Sequence, residues 1–481
     1  MHRVRSMFRT RARADSWHAS ILVVLLSLLT SLFAPAQATV TSAAPPPNIV
    51  LILSDDQRWD TLWAMPQVEA RLAAHGITFS NAFVTNSLCC PSRTTILTGK
   101  YSHSTGVYTN AAPDGGFHAF HDRSTIATWL QAGGYQTALV GKYLNEYGWD
   151  AHHGYVPDGW DRWVALAEEN SQYYNYDLTI DGRIRSYGHD PDDYATDVLA
   201  GYATSFIRNT KGPLFLYFAP PGPHDPADPA PRDEHAFPDL QPWRPPNFNE
   251  ADVKDKSLWV RSRSPVRADP DGYVARFRQD QYRSLLAVDR AVGQILDALQ
   301  DTGRLSNTFI VFMSDNGYMW GEHRLIGKQV SYEESIRVPM VIRFDPLTEE
   351  ARTDDHLVLN MDLAPTFAEL AGVKSPGVEG RSLSPLLRAP GSPWRTDFLI
   401  EHERGIQDIP SYCAVRTVDE KYVLYSTGEQ ELYDLSTDPF ELQNVAADPA
   451  MQDRVSALRK RVDQLCTPRP PGFPGRPQVT P

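Results

Sequence analysis

The stretch Asn48-Ile49-Val50-Leu51-Ile52-Leu53-Ser54-Asp55-Asp56 determines the fold class that we predict for this chain. The apolar run from Ile49 to Leu53 has no polar residue to face water, which is typical of a parallel strand buried on both faces. The run ends abruptly in a serine and two aspartates. In open parallel sheets, ligands bind outside the carboxyl ends of the strands. Asp55 and Asp56 are therefore candidates for a functional site.

Three further apolar runs end in polar residues in the same way. They are Gln136–Val140 before Gly141 and Lys142, Pro213–Ala219 before a loop with His224, and Thr308–Met313 before Ser314, Asp315 and Asn316. Amphipathic segments over 280–299 and 361–372 have the apolar spacing of helices. This alternation predicts an α/β fold with a large, mostly parallel central sheet flanked by helices. We expect the four strand ends to form one shared site.

The N-terminal residues have the features of an export signal. Basic residues up to Arg13 precede a thirteen-residue apolar or hydroxyl run, Ile21–Phe33, and Ala36-Gln37-Ala38 matches a small-x-small cleavage site. Such a run is shorter than the ~20 residues of a membrane span, although a membrane anchor is the alternative interpretation. We predict a signal peptide over 1–38, a linker over 39–47 and a secreted protein, extracellular or periplasmic, with no stable membrane anchor.

The remaining residues divide into three segments. We predict a catalytic domain over 48–391, in which 220–271 is a long substrate-side loop rich in Pro, Asp and Arg. A smaller C-terminal α+β subdomain over 392–466 has short antiparallel strands at 421–425 and 431–434 and a helix over 451–465. Residues 467–481 form a Pro-rich tail, which we expect to fray. Two of the four cysteines, Cys413 and Cys466, could form one bridge in this C-terminal segment.

The charge balance excludes one class of function. The chain has 46 Lys and Arg against 59 Asp and Glu, a formal net charge of −13. Proteins that bind the nucleic-acid backbone need a positive surface. We therefore expect no nucleic-acid partner.

The most specific motif is Cys89-Cys90-Pro91-Ser92-Arg93, followed by Thr98-Gly99-Lys100. With it, the chain resembles the type I sulfatases, which have an alkaline phosphatase-like sandwich fold. The stretch Gly141-Lys142-Tyr143-Leu144-Asn145-Glu146-Tyr147 is most similar to the N-acetylglucosamine-6-sulfatases and the extracellular heparan 6-O-endosulfatases. The resemblance implies hydrolysis of a sulfate ester on a sulfated carbohydrate, most simply the 6-O-sulfate of N-acetylglucosamine or of a glycosaminoglycan fragment.

The resemblance also implies cofactors and roles. A formylglycine-generating enzyme would convert Cys89 to formylglycine during maturation, and the hydrate of that aldehyde would be the nucleophile. An oxygen-rich shell suits one divalent cation, Ca²⁺ in preference to Mg²⁺. The implied metal ligands are Asp55, Asp56, Cys89, Asp315 and Asn316. Positive charge around the sulfate and the nucleophile would come from Arg93, Lys142 and Lys328, and the leaving group would be protonated by His224. Candidate substrate contacts are Lys100, His323 and Asn145.

Leu144 departs from the common family pattern, because most sulfatases have a histidine at this position. The group that deprotonates the hydrate in the second step is therefore open. Two alternative functions also stay open: a phosphonate monoester or phosphodiester hydrolase with the same site, and a catalytically inactive glycan-binding protein. The chain lacks the long basic insertion of the endosulfatases, which favours a small or terminal substrate.

Overall fold

One ten-stranded sheet forms the centre of the fold. The computed structural model describes residues 45–148, 154–167, 171–267, 272–348, 350–405 and 408–474. The strands within these ranges are β1 (Asn48–Ser54), β2 (Ile77–Phe79), β3 (Ala82–Phe83), β4 (Gln136–Gly141), β5 (Arg162–Leu166), β6 (Asp177–Ile180), β7 (Arg183–Ser186), β8 (Leu214–Ala219), β9 (Thr308–Ser314), β10 (Met319–Trp320), β11 (Ile326–Gly327), β12 (Met340–Arg343), β13 (Arg352–Asp354), β14 (Val358–Leu359), β15 (Asp397–His402), β16 (Tyr412–Thr417), β17 (Glu420–Tyr425) and β18 (Gln430–Asp434).

The four apolar runs of the sequence are the neighbouring strands β9, β1, β8 and β4 of this sheet. The full strand order is β13-β2-β12-β9-β1-β8-β4-β5-β6-β7. The block from β9 to β5 is parallel, while the strands toward the edges include antiparallel pairs. The predicted α/β class with a mostly parallel central sheet is confirmed. Because all four runs are parallel, their carboxyl ends lie at the same edge of the sheet.

Helices cover both faces of the sheet. The α-helices are Pro66–Arg71, Cys89–Thr98, Ser102–Thr105, Gly116–Ala119, Ile126–Ala132, Ala195–Asn209, Leu258–Arg261, Tyr273–Asp301, Glu333–Ile336, Leu363–Ala371, Ser384–Arg388 and Gln452–Leu465. Ile49, Leu51 and Leu53 of β1 belong to the core that contains the helices Cys89–Thr98 and Leu363–Ala371. Val50 and Ile52 belong to the core on the other face, with Ala195–Asn209 and Tyr273–Asp301. The alternation of side chains along a strand therefore supplies both cores.

The helix Tyr273–Asp301 begins seven residues before the predicted start at Asp280. Val274 and Phe277 in these first turns are buried and continue the helical spacing of the apolar face. The many Arg and Gln residues around them hide this pattern in the sequence. The predicted loop over 220–271 contains, in its described part, one short α-helix, Leu258–Arg261, and a single 3-10 turn, Pro231–Asp233.

The C-terminal segment forms a second, antiparallel sheet with the order β15-β16-β17-β18. Only β17 and β18 were predicted from the sequence. The helix Gln452–Leu465 packs against this sheet, and Cys413 and Cys466 form the predicted disulfide, with a Cα–Cα distance of 6.3 Å. The domain boundary at residue 392 stays a prediction, because the described residues from Pro46 onward form one compact unit.

Two predictions concern the ends of the chain. The predicted signal peptide and the linker up to residue 44 lie outside the described residues. The prediction of a frayed tail is wrong for residues 467–474. Phe473 packs into the core beside Cys466, and the Ser411 hydroxyl donates to the Pro471 carbonyl at 2.5 Å. Within the described ranges, we find no helix that is long and apolar enough to cross a membrane.

Candidate active site

The carboxyl ends of the four central strands bring the predicted polar residues together. Asp55 and Asp56 follow β1, Lys142 follows β4, a loop with His224 follows β8, and Asp315 and Asn316 follow β9. Ser54 pairs with Ser314 in register, so the acidic residues after these two strands are direct neighbours. The backbone N–H of Asp56 donates to Asp315 Oδ1 at 3.1 Å. Asp56 has a left-handed backbone (φ 64°), a conformation that is uncommon for non-glycine residues but that aspartate adopts more readily than most.

Cys89 lies at the start of the helix Cys89–Thr98, and its thiol points into this cluster. The Sγ atom is 2.9 Å from Lys328 Nζ, 3.5 Å from Lys142 Nζ and 3.7 Å from Asp55 Oδ1. Burial alone would raise the pKa of the Cys89 thiol, but the two lysine ammonium groups outweigh it and lower that pKa. The position therefore favours a negatively charged atom on the side chain of residue 89.

The adjacent Cys90 points away from the cluster, because successive helix residues are rotated by about 100°. Its Sγ is 3.0 Å from the backbone nitrogen of Asn145 and 3.3 Å from Asn145 Oδ1. Burial raises the pKa of the Cys90 thiol to about 12. Cys90 is thus an inert, packed thiol, which agrees with its place as the variable residue of the motif.

The two lysines bind the acidic residues of the cluster. Lys142 Nζ is 2.5 Å from Asp55 Oδ2, and Lys328 Nζ forms a short ion pair with Asp56 Oδ1. The pKa of each lysine is raised, because these carboxylates outweigh the effect of burial. Both ammonium groups therefore keep their charge beside Cys89.

Arg93 lies behind the cluster and has no exposed surface. Its Nε donates to Asp315 Oδ2 at 2.8 Å, its Nη1 donates to the Lys142 carbonyl at 2.8 Å, and its Nη2 is 3.4 Å from Asp55 Oδ2. All three nitrogens face the protein. The structure therefore places Arg93 where it positions Asp55 and Asp315, and its predicted contribution of positive charge around the sulfate stays a prediction.

His224 is on the open side of the cluster, with its side chain 22% exposed. Its Nε2 is 3.7 Å from Asp56 Oδ2, and its Nδ1 is 2.6 Å from the Asp225 carbonyl, which requires Nδ1 to carry a proton. Burial lowers the pKa of the ring, but the Asp56 and Asp55 carboxylates outweigh it and raise that pKa to about 9. These carboxylates favour the protonated ring, and its Nε2 faces the open side of the cluster, from which it can donate a proton.

The donor set fits a divalent cation. One ligand atom each from Asp55, Asp56, Cys89 and His224 lies within 4.8 Å of the others. Asn316 extends the cluster, since its Nδ2 donates to Asp56 Oδ1 at 2.7 Å. The Asn316 Oδ1 atom is buried without a hydrogen-bond partner, and such an atom needs a donor or a cation. Carboxylate and amide oxygens are the ligands that Ca²⁺ and Mg²⁺ prefer.

Three predicted substrate contacts do not join this cluster. Lys100 follows the C-terminal end of the helix that begins with Cys89, and its Nζ lies against Gly377. Asn145 contacts Cys90 instead of Cys89. His323 is fully buried, with its Nδ1 2.6 Å from Glu250 Oε2, and burial lowers the pKa of its ring to about 3.

Ser171 is a site residue that the sequence analysis did not identify. Its Oγ is 3.4 Å from Lys142 Nζ. A serine carries no signal of its own, and only its place in the Asn-Ser-Gln-Tyr-Tyr stretch could have suggested it.

Comparisons with known proteins point to one family. Residues 47–373 match the family model "Sulfatase", and residues 321–467 match "N-sulphoglucosamine sulphohydrolase, C-terminal". The N-acetylglucosamine-6-sulfatase of Capra hircus is 35% identical, with 88% of this chain and 84% of that protein covered. The human protein of the same name is also 35% identical, with 89% and 86% covered.

The solved structures add a ligand-bound neighbour. The structure of a protein in complex with its substrate, D-glucosamine-2-N,6-O-disulfate, has a TM-score of 0.77 and 26% identity, and 87% of this chain and 97% of that chain are covered. The phosphonate monoester hydrolase of Agrobacterium radiobacter shares the fold, with a TM-score of 0.70, 23% identity and coverage of 87% and 95%. The chain thus belongs to the sulfatase family and is an enzyme that hydrolyses sulfate esters.

Proposed function

We propose that this sulfatase removes the 6-O-sulfate of N-acetylglucosamine, as the free sugar or within a glycosaminoglycan fragment. The proposal rests on its likeness to the N-acetylglucosamine-6-sulfatases, which extends over almost the whole chain. It is also supported by the neighbouring structure that binds a 6-O-sulfated glucosamine. The observation that carries the sulfate chemistry is the position of Cys89 Sγ between two lysines and Asp55.

A cavity of about 380 Å³ is our candidate for the sugar site. Its lining includes the chain neighbours of two cluster residues, because Leu88 precedes Cys89 and Gln329 follows Lys328. Gln329 Oε1 is a buried acceptor without a partner, so a sugar hydroxyl could donate to it. The mixture of apolar wall and polar groups is typical of small-molecule sites.

We further propose that Cys89 is converted to formylglycine by a formylglycine-generating enzyme, and that Asp55, Asp56, Asp315 and Asn316 hold a divalent cation, Ca²⁺ in preference to Mg²⁺. The hydrate of the aldehyde would supply a nucleophilic oxygen on residue 89. The cation, when bound, would offset the negative charge of the sulfate. The family resemblance and the unpartnered Asn316 Oδ1 support this assignment.

The chain's own residues then act around the sulfur atom. Lys142 and Lys328 hold positive charge beside residue 89, which favours its deprotonated oxygen and offsets charge in the transition state. As the bond between sulfur and the sugar oxygen breaks, His224 Nε2 donates its proton to that oxygen. Arg93 keeps Asp55 and Asp315 in place. Leu144 is buried and apolar, so it has no part in proton transfer.

A substrate panel tests the proposed function. We expect 6-O-sulfated N-acetylglucosamine to be hydrolysed with a higher kcat/KM than 3-O-sulfated N-acetylglucosamine, an aryl sulfate, a phosphodiester or a phosphonate monoester. A higher kcat/KM for either phosphorus ester would support the hydrolase alternative instead. Absence of all turnover, with retained binding of the sulfated sugar, would indicate a glycan-binding protein.

Mass spectrometry of one peptide tests the proposed nucleophile. Trypsin should release residues 72–93, which contain both Cys89 and Cys90. We expect fragmentation to place an aldehyde on residue 89 and an intact thiol on residue 90. Cys89→Ala should abolish turnover, whereas Cys90→Ala, the matched control, should retain most of it. Two intact thiols in fully active enzyme would contradict the formylglycine mechanism.

Secretion is the last part of the proposal. We propose that the mature enzyme begins near Thr39 and acts outside the cytoplasm. Export signals of the predicted form are removed at the small-x-small site. N-terminal sequencing of the exported protein should therefore find no residue before Thr39, and retention of the run Ile21–Phe33 would contradict the assignment.

A further inference from the structure

The loop that carries His224 is rich in proline. Four of the seven residues from 220 to 226 are prolines, and a proline has no backbone N–H to donate. The loop therefore has too few donors to pair all of its carbonyl groups within itself. Because an unpaired buried carbonyl costs free energy, other parts of the chain must supply donors. Those donors then help to determine where His224 lies.

The Tyr173 hydroxyl closes the turn that ends at His224. The backbone N–H of His224 donates to the Pro221 carbonyl at 3.0 Å, which defines a tight turn over residues 221–224. The Tyr173 hydroxyl donates to the His224 carbonyl at 2.9 Å and lies 3.3 Å from the Pro221 carbonyl, so it contacts both ends of this turn. Tyr173 has no exposed surface, and its ring centre is 5.8 Å from that of Tyr194. The packing of the ring therefore holds the hydroxyl in place.

A second side chain holds the middle of the turn. Gln281, on the long helix that follows the loop, is buried, and its Nε2 donates to the Pro223 carbonyl at 3.1 Å. Its Oε1 accepts from Trp320 Nε1 at 2.5 Å, and because an indole nitrogen only donates, this contact fixes the orientation of the amide. The Gly222 carbonyl accepts from the Asp55 backbone N–H at 3.1 Å. Every carbonyl of the turn thus has a donor in the protein.

The imidazole ring of His224 depends on this turn for its position. Within the described ranges, the ring has one hydrogen bond, from Nδ1 to the Asp225 carbonyl at 2.6 Å, and it stays inside the loop. Nε2 is 3.7 Å from Asp56 Oδ2, which is beyond hydrogen-bond distance. The ring therefore lies where the loop places it. A shift of the turn would move Nε2 away from the atom that it protonates.

We infer that Tyr173 and Gln281 are positioning residues for His224, and that they affect the reaction only through the place of its ring. The inference rests on the proposed function for the role of His224 as proton donor, but not for the contacts that hold the turn. Loss of either side-chain donor should let the turn move, so that His224 delivers its proton to the sugar oxygen less often. The effect should therefore appear in kcat, which reports bond cleavage, and not in KM.

Rate measurements on paired variants test whether Tyr173 acts through His224. Tyr173→Phe removes the hydroxyl and keeps the ring, and we expect kcat for 6-O-sulfated N-acetylglucosamine to fall about tenfold with little change in KM. In a His224→Ala background, we expect the same substitution to change kcat by less than about twofold, because the ring that it positions is absent. Gln281→Met should behave in the same way. An unchanged kcat of Tyr173→Phe, or the same loss in both backgrounds, would overturn the inference.

Tyr135→Phe is the matched control for the loss of a buried hydrogen bond. The Tyr135 hydroxyl also donates to a backbone carbonyl, that of Pro47 at 2.8 Å, but Pro47 precedes the amino end of β1, and the catalytic cluster is at the carboxyl end. Both substitutions should lower the midpoint of thermal unfolding by similar amounts, whereas only Tyr173→Phe should lower kcat. An equal loss of kcat in both variants would assign the effect to reduced stability and would overturn the inference.

The leaving group separates this inference from the proposed function. Nitrophenolate leaves 4-nitrophenyl sulfate without a proton, whereas the sugar oxygen needs one. We expect His224→Ala and Tyr173→Phe both to lower kcat much less for 4-nitrophenyl sulfate than for the sugar sulfate. If His224→Ala slowed both substrates equally, His224 would not be the proton donor, and that part of the proposed function would fail while the paired variants still decided the positioning. If Tyr173→Phe alone slowed both substrates equally, only the positioning inference would fail.

Discussion

Replacing Asp315 by asparagine tests whether the carboxylate cluster holds a divalent cation. Asp315 is fully buried, and its Oδ2 accepts from Arg93 Nε at 2.8 Å while its Oδ1 accepts from the Asp56 backbone at 3.1 Å. Asparagine has nearly the same shape but no charge. The substitution therefore removes one of the three negative charges of the cluster and changes the packing little.

The expected magnitude follows from the charges involved. Two unit charges about 4 Å apart interact by about 4 kcal/mol at an effective dielectric constant of about 20, so a carboxylate and a divalent cation interact by about twice that amount. Arg93 already neutralises part of the Asp315 charge. We therefore expect a net loss of at least about 3 kcal/mol of cation binding, which is about a hundredfold in affinity. The substitution also removes one of the two carboxylates beside Arg93, which keeps Asp55 as a charged partner. The loss of folding stability should therefore lie below the about 3–5 kcal/mol that breaking a buried ion pair outright costs.

Calorimetric titration of the metal-free enzyme with Ca²⁺ measures the first effect, and urea unfolding in chelator measures the second. Asp419→Asn is the matched control, because it removes the same charge from an exposed aspartate outside the cluster. We expect the control to bind Ca²⁺ and to turn over substrate normally, and Asp315→Asn to lose turnover. If Asp315→Asn bound Ca²⁺ within threefold of Asp419→Asn, Asp315 would not belong to a cation site.

Three further predictions concern stability and catalysis. Replacing Cys413 and Cys466 by alanine opens a loop with a sequence separation of 53 residues and should cost about 4 kcal/mol by chain entropy, which urea unfolding measures; an unchanged midpoint would contradict this. Burial raises the pKa of Glu334 from 4.5 to about 8. The contribution of its protonation to folding stability is therefore fully present below pH 4.5 and is lost as the pH rises through 8. Glu334→Gln should flatten this pH dependence in thermal unfolding, and an unchanged slope would exclude Glu334 as its source. Lys328→Met should lower kcat about 10²–10³-fold by removing positive charge beside residue 89, and a change below tenfold would contradict that role.

The sequence alone determined the fold class, and it predicted the polar residues that the structure brings together at the strand ends. Each apolar run of five to seven residues predicts a buried strand from its own composition, and the polar residues at its end follow within the same short segment. Once the strands are parallel, the common position of their ends follows without further information. By resemblance to the family, the offsets to Pro91 and Arg93 also select Cys89 rather than Cys90 within one short motif, and the structure places the Cys89 thiol in the cluster.

The sequence could not show whether a polar side chain in or near a motif points into the site. Arg93 ends the motif that begins at Cys89, but the folded chain buries its side chain against Asp315, 222 residues away. His323 is likewise buried against Glu250, 73 residues away. The disulfide was open for the same reason, because spacing does not bring two Cα atoms within reach.

Only the tertiary structure revealed that Ser171 adjoins the catalytic cluster. Its Oγ is 3.4 Å from Lys142 Nζ, although the two residues belong to different segments and the serine has no motif of its own. Local pattern determines which elements form, because strands and helices depend on neighbouring residues. Which side chains meet, and which charges remain without a partner, depends on contacts between residues far apart in the chain, and the sequence does not contain those contacts in any short stretch.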